Sequence, residues 1–186
     1  MMEDEEKKED EKKDLSKVRS IFLSGMINEK SSRDVIEKLI QLEKESPLED
    51  IYLYIDSYGG YLDSMLAIID TMNLVKCDVQ TVCVGKAMSA GAVILSSGKR
   101  GKRFITPNAR TMIHQLFALS YGTAAEIEKE AQEIKRMQLQ MERILAKNTK
   151  QPLKQIRQDL RDIKFMDAEG SVKYGLVDKI KKGGSS

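Results

Sequence analysis

The chain has no tryptophan, three prolines, two cysteines and one histidine among 186 residues. Each shortage excludes something. Two thiols, Cys77 and Cys83, at no recognisable metal or disulfide spacing, rule against a disulfide-stapled scaffold and suit a reducing compartment. No run of eighteen apolar residues exists, so no transmembrane helix is expected, and the charged N-terminus does not read as a signal peptide. The expectation is a soluble, cytoplasmic protein. Aromatic residues make up 5 % of the chain and no basic stripe is visible, which argues against a nucleic-acid partner.

Charge is plentiful but uneven. Residues 3–14 are all charged, eight acids against four lysines, a net −4 that leaves +6 for the rest of a chain whose net charge is +2. Such a run cannot bury apolar surface. Residues 1–16 are therefore expected to form a charged, disordered tail and 17–186 a single domain, within the size range of one core.

With one imidazole in the chain, its neighbours in chemistry matter. Ser89 lies among small residues, Gly85-Lys86-Ala87-Met88-Ser89-Ala90-Gly91-Ala92, 25 positions before His114. A hydroxyl becomes a nucleophile when a base takes its proton, and imidazole suits that task near neutral pH. The small residues allow a sharp strand-to-helix turn, and Ala92-Val93-Ile94-Leu95 reads as the buried helix that follows. Unpaired N–H groups in its first turn would sit beside the serine, where an oxyanion needs donors.

Around this pair, strands and helices alternate. Ile21-Phe22-Leu23 predicts a first strand ending at Gly25. Ser31–Glu45 predicts a helix with Val35, Leu39 and Leu42 on one face and Ser31 as its cap. Ile51–Ile55 is a strand with tyrosines on one side and aliphatics on the other. Helix 62–75, strand 79–84, a short strand near Phe104 and strand 110–114 follow. This β-α-β order predicts an α/β fold with right-handed crossovers, and His114 at a strand end, where such folds build sites. Thr123-Ala124-Ala125-Glu126 has the form of a capping box opening a helix to about Lys147. Its stripe of Ile127, Ala131, Ile134, Met137, Met141, Ile144 and Leu145 runs along about 37 Å, a candidate subunit interface. A short helix opened by Pro152, a helix 168–174 and a last strand at Leu176-Val177 complete the reading.

Several segments resemble the proteolytic subunit family of the Clp protease, ClpP. They are 50–55 with Ser57 and Gly59-Gly60, Ala67-Ile68 with Asp70-Thr71-Met72, Gly101–Phe104, Pro107–Arg110, Met112–Gln115 and Tyr174–Asp178. The resemblance covers roughly Ile21 to Ile180. It implies a ClpP/crotonase-like spiral of β-α-β units with a protruding handle helix from Thr123. It also implies a self-compartmentalised serine endopeptidase acting on unfolded polypeptides inside two stacked seven-membered rings. Ser89 would be the nucleophile and His114 the base, with the Gly60 and Ala90 N–H groups as the oxyanion hole. The two glycines would serve an unusual backbone angle at the first and close substrate approach at the second. No cofactor or metal is implied. A Clp-type AAA+ unfoldase would dock on Tyr52, Tyr54, Leu74, Val82 and Phe104.

The chain departs from the family pattern in places. Counting from His114 at the family's spacing lands on Ile163, which cannot orient an imidazole. Asp162 is the candidate acid, with Asp159 and Asp167 as alternatives. The family's Ser-Pro-Gly-Gly is Ser57-Tyr58-Gly59-Gly60 here, and the segment after His114-Gln115 is Leu116-Phe117-Ala118-Leu119. These departures keep open a catalytically weak ring subunit acting as scaffold, and the shared spiral architecture leaves a crotonase-type acyl-CoA enzyme as a less favoured third reading.

Overall fold

A computed structural model describes residues 19–182. The charged run 3–14 lies outside the described residues. β1 (Ser20–Ile27) leads through α1 (Glu29–Glu45) to β2 (Ile51–Gly60), and α2 (Leu62–Leu74) to β3 (Val79–Met88). α3 (Ala90–Ser96), β4 (Arg103–Ile105) and β5 (Arg110–Ile113) follow. The C-terminal half holds α4 (Ala124–Thr149), α5 (Leu153–Arg161), β6 (Lys164–Met166), α6 (Ala168–Tyr174) and β7 (Lys179–Ile180).

The strands form one seven-stranded sheet with the order β1-β2-β3-β4-β7, while β5 pairs with β3 and β6. Every pairing is parallel except β5 with β6. β3 is the branch point: Thr81–Cys83 pair with β4, and Lys86–Met88 pair with β5. Register shifts between Ser24 and Met26 on β1 and between Ile55 and Ser57 on β2 fall at the same level. Irregularities of this kind bend strands. Beyond them the strand ends form a second, smaller layer, the turn of the spiral.

Alternation in β2 sorts the two faces. Ile51, Leu53 and Ile55 are fully buried under the helices, with Leu39 of α1 and Ile68 of α2 in the same core. Tyr52 and Tyr54 point to the other face, as their spacing predicts.

Local chemistry sets the element ends. Asn28, not Ser31, caps α1. Its side chain accepts from the Ser31 N–H at 3.0 Å, and its own N–H donates to Ser31 Oγ at 2.9 Å. Ser31 is thus the third residue of a reciprocal capping box, which moves the start back to Glu29. Thr123 and Glu126 form the expected box at α4. The apolar pair Leu176-Val177 is not a strand: both side chains are buried after the left-handed Gly175, and pairing begins at Lys179. β6 is three residues long, too short to leave a pattern in the sequence.

α4 is 26 residues long, about 39 Å at 1.5 Å per residue. Its C-terminal half is anchored through Met141, Leu145 and Thr149 against α3 and α5. Its first half stands away from the domain: no residue of Ala124–Gln140 is buried, and Ile127 is 41 % exposed.

Arg103 ties the C-terminal segment to the sheet. Its guanidinium pairs with Asp178 at 2.6 and 3.0 Å and donates to the carbonyls of Ser96, Asn148 and Gly175. Burial pushes the Asp178 carboxyl up, but the Arg103 side-chain and backbone donors and the Gly101 N–H outweigh it and hold it below the usual carboxylate range. The stabilisation is therefore full above the unfolded value near pH ~4 and is lost as pH falls through the lower folded value. Asp178→Asn should cost about 3–5 kcal/mol at pH 7, because it strands a buried cation. In urea unfolding, the gap to the parent chain should narrow as pH is lowered below ~4.

Candidate active site

Ser89 sits where β3 turns into α3, with φ 53° and ψ −124°. This left-handed value is uncommon for a residue with a side chain and is maintained only where the surroundings over-determine it. Three contacts do so. The Ser89 N–H donates to the Met112 carbonyl of β5 at 2.8 Å, and its own carbonyl caps the Ala92 and Val93 N–H groups. On the third side lies the backbone of Gly59, at φ 105°. A Cβ on Gly59 would stand 2.6 Å from Ser89 Cβ, 2.9 Å from the Met88 carbonyl oxygen and 3.1 Å from Ala90 N. Only glycine lets β2 close on this turn.

The first glycine has the unusual angle expected of it, and the structure adds a packing role to each. Gly59 supplies the unusual angle and the close approach to the serine. Gly60 is needed for a tight contact with β1, since a Cβ there would lie 2.0 Å from the Ile27 carbonyl oxygen. Ser57 holds the loop from beneath: buried, it donates to the Gly25 carbonyl and accepts from the Gly59 N–H. The Gly59-Gly60 and Ser89-Ala90 backbones thus lie against each other. The Ala90 N–H, in the first turn of α3, has no intrahelical acceptor.

His114 follows β5 directly. Met88 pairs with Met112 in the parallel β3–β5 ladder, so Ser89 and His114 emerge at the same end of adjacent strands. Both are half-buried. Among the described residues, the imidazole makes no ion pair with a carboxylate.

The three acids named from the sequence have other partners. Asp162, exposed at the C-terminal end of α5, accepts from Gln158 Nε2 at 2.6 Å. Asp159 is buried and accepts from the Tyr174 hydroxyl at 2.7 Å, Lys164 Nζ at 3.0 Å and Gln155 Nε2 at 3.1 Å. Burial raises its pKa, but these three donors outweigh that and hold it low. Asp167 caps α6 by accepting the Gly170 N–H at 2.7 Å. Next to His114, the antiparallel β5–β6 ladder ends with Ile113 paired to Lys164, and the Gln115 N–H donates to the Leu160 carbonyl. The residue preceding Lys164 is Ile163, just beyond the ladder. It is 54 % exposed and has φ 52°.

Beyond His114, residues 114–122 form neither helix nor strand. Leu116 is anchored through its N–H to Gln138 Oε1 at 2.9 Å, while Phe117, Leu119 and Tyr121 are exposed.

On the helix-free sheet face, Phe22, Tyr54, Val82 and Phe104 stand in register across four strands. Phe22 stacks on Tyr54 at 5.2 Å, Tyr52 lies 6.4 Å from Tyr54, and Lys181 Nζ covers the Tyr52 and Phe104 rings. Val82 is 1 % exposed, the floor of the row rather than its surface, and Leu74 is exposed on the last turn of α2. Phe22 is the member that sequence reading missed. Its alternation with buried Ile21 and Leu23 was the available signal.

A β-branched residue in the left-handed region carries strain of about 1–3 kcal/mol. Ile163→Asn should relieve part of it without loss of core packing, raising stability by about 1 kcal/mol in thermal unfolding. No gain would mean that the φ of Ile163 costs nothing.

Compared with known families, residues 3–183 of the 186 match the one described as Clp protease, a span that includes every strand and helix described above. The fold is the α/β fold of ClpP, and the chain belongs to the Clp protease family.

Proposed function

We propose that the chain is a serine endopeptidase that cleaves unfolded polypeptides, with Ser89 as nucleophile and His114 as general base. The observation that carries this reading is the Ser89 elbow, held at a strained φ by the Gly59 backbone and the Met112 carbonyl, beside the strand that delivers the only imidazole. In the proposed reaction Ser89 Oγ attacks a peptide carbonyl while His114 takes its proton. The carbonyl oxygen, now negative, accepts from the Gly60 and Ala90 N–H groups. His114 returns the proton to the leaving amine, and water hydrolyses the acyl-enzyme by the same route in reverse.

The family assignment supports assembly into two stacked seven-membered rings, with the exposed half of α4 and the segment 116–122 meeting the opposite ring. The aromatic row Tyr52, Tyr54 and Phe104, with Val82 beneath and Leu74 nearby in the assembled ring, is the proposed dock for a Clp-type AAA+ unfoldase. No helix among the described residues is long and apolar enough to cross a membrane. The proposed location is the cytoplasm, and 17–186 is proposed to act as one domain. Asp162 is the proposed orienting acid, and this role requires its carboxylate to leave Gln158.

A second reading, a catalytically weak ring subunit, is favoured by one observation: each of the candidate acids Asp159, Asp162 and Asp167 is engaged by another partner. A fluorophosphonate probe and peptide hydrolysis separate the two. Labelling of the assembled protein, abolished in Ser89→Ala, supports the endopeptidase, and absence of labelling in intact rings overturns it. If Asp162 orients His114, Asp162→Asn should lower kcat by about 10²–10⁴, the order seen when an orienting carboxylate is lost. If no acid serves, Asp162→Asn should leave kcat unchanged while Ile163→Asp raises it, by up to ~10⁴.

A further inference from the structure

The Gly59-Gly60 segment is held from beneath by Ser57 and along one side by β1, while its other side faces β3. Tyr58 precedes Gly59-Gly60, and unlike proline it has no ring to fix its φ. Its side chain is 66 % exposed, and β2 is already out of regular register between Ile55 and Ser57. On the β3 side the segment has room for a further tether.

One side chain from the neighbouring strand reaches it there. Lys86, three residues before Ser89 on β3, places Nζ 2.6 Å from Asp56 Oδ1 and 4.4 Å from the centroid of the Tyr58 ring. Asp56 and Tyr58 flank Ser57, so a single ammonium grips β2 on both sides of the residue that anchors the loop. The Asp56 carboxylate also lies close over Gly85, where a Cβ would be 3.1 Å from Oδ1. Gly85 has φ 71°, so the strand that carries Lys86 is shaped to receive that carboxylate. The hydrogen bond to Asp56 raises the Lys86 pKa, with Tyr58 adding in the same sense and Arg110, its register partner on β5, opposing. The clamp is therefore charged at every physiological pH.

We propose that Lys86, gripping Asp56 and Tyr58, is a positioning residue that holds the Gly59-Gly60 backbone against the Ser89 elbow. It touches no reacting atom. Its effect is on where the oxyanion donors stand, and so on turnover rather than on substrate binding. The proposal rests on the endopeptidase reading for its catalytic consequence, but the mechanical consequence can be measured without it.

The experiment pairs amide hydrogen exchange with peptide hydrolysis in the assembled full-length protein, comparing Lys86→Met, Lys86→Arg and the parent. In Lys86→Met, exchange in residues 57–61 should accelerate about 10-fold, the order expected when a partly exposed ion pair and cation–π contact are removed together. Residues 51–55 of the same strand should be unchanged. kcat should fall about 10–100-fold with KM little altered, and Lys86→Arg, which keeps both contacts, should restore exchange and turnover. Unchanged exchange at 57–61, or acceleration across all of β2, overturns the clamp. Local acceleration in a protein whose parent form neither labels nor hydrolyses peptide supports the clamp while overturning the endopeptidase reading.

Discussion

The close approach of two backbones, Gly59 on β2 and Ser89 at the end of β3, is the constraint on which the site depends. No side chain fits between them: a Cβ on Gly59 would overlap Ser89 Cβ and the Met88 carbonyl. Because Ser89 is pressed from that side and hydrogen-bonded to Met112 on the other, its left-handed φ is imposed rather than chosen. The strain is local, and the packing that sustains it is spread over three strands.

That packing explains why the sheet bends where it does. β1 and β2 lose regular register at the same level, and β3 exchanges its partner from β4 to β5 there. Below the bend the strands carry a fully buried core of aliphatic residues, and above it they carry the glycines, Ser89 and the end of β5. The lower layer supplies most of the apolar burial. The upper layer holds the strained and polar groups, Ser57 and Ser89 among them, beside buried Ile27, Ala87 and Ile113, which help to sustain the strain.

Much of the fold was legible locally. Alternation in β2, the capping box at Thr123 and the small residues around Ser89 are short-range patterns with one physical reading each. The start of α1 was misread because Asn28 and Ser31 are both good caps, and the reciprocal bonds between them identify the outer one. Leu176-Val177 looked like a strand because a buried apolar pair after a glycine has the same composition whether or not it pairs. For the candidate site, Ser89 and His114 could be proposed from residue chemistry. Asp162 was placed ahead of Asp159 and Asp167 by family spacing, yet each of the three has a structural partner invisible in the sequence.

By itself the sequence determined the α/β alternation, the serine elbow, the single available imidazole and the long capped helix, all of which depend on residues within a few positions of one another. Tertiary structure alone decided that Gly59 rather than Gly60 meets the serine, that Ile113 pairs with Lys164, and that Lys86 reaches Tyr58. These contacts join residues some 28 to 51 positions apart in the chain. Their geometry follows from strand register, and register is set by the packing of the whole sheet, not by the propensity of any one segment.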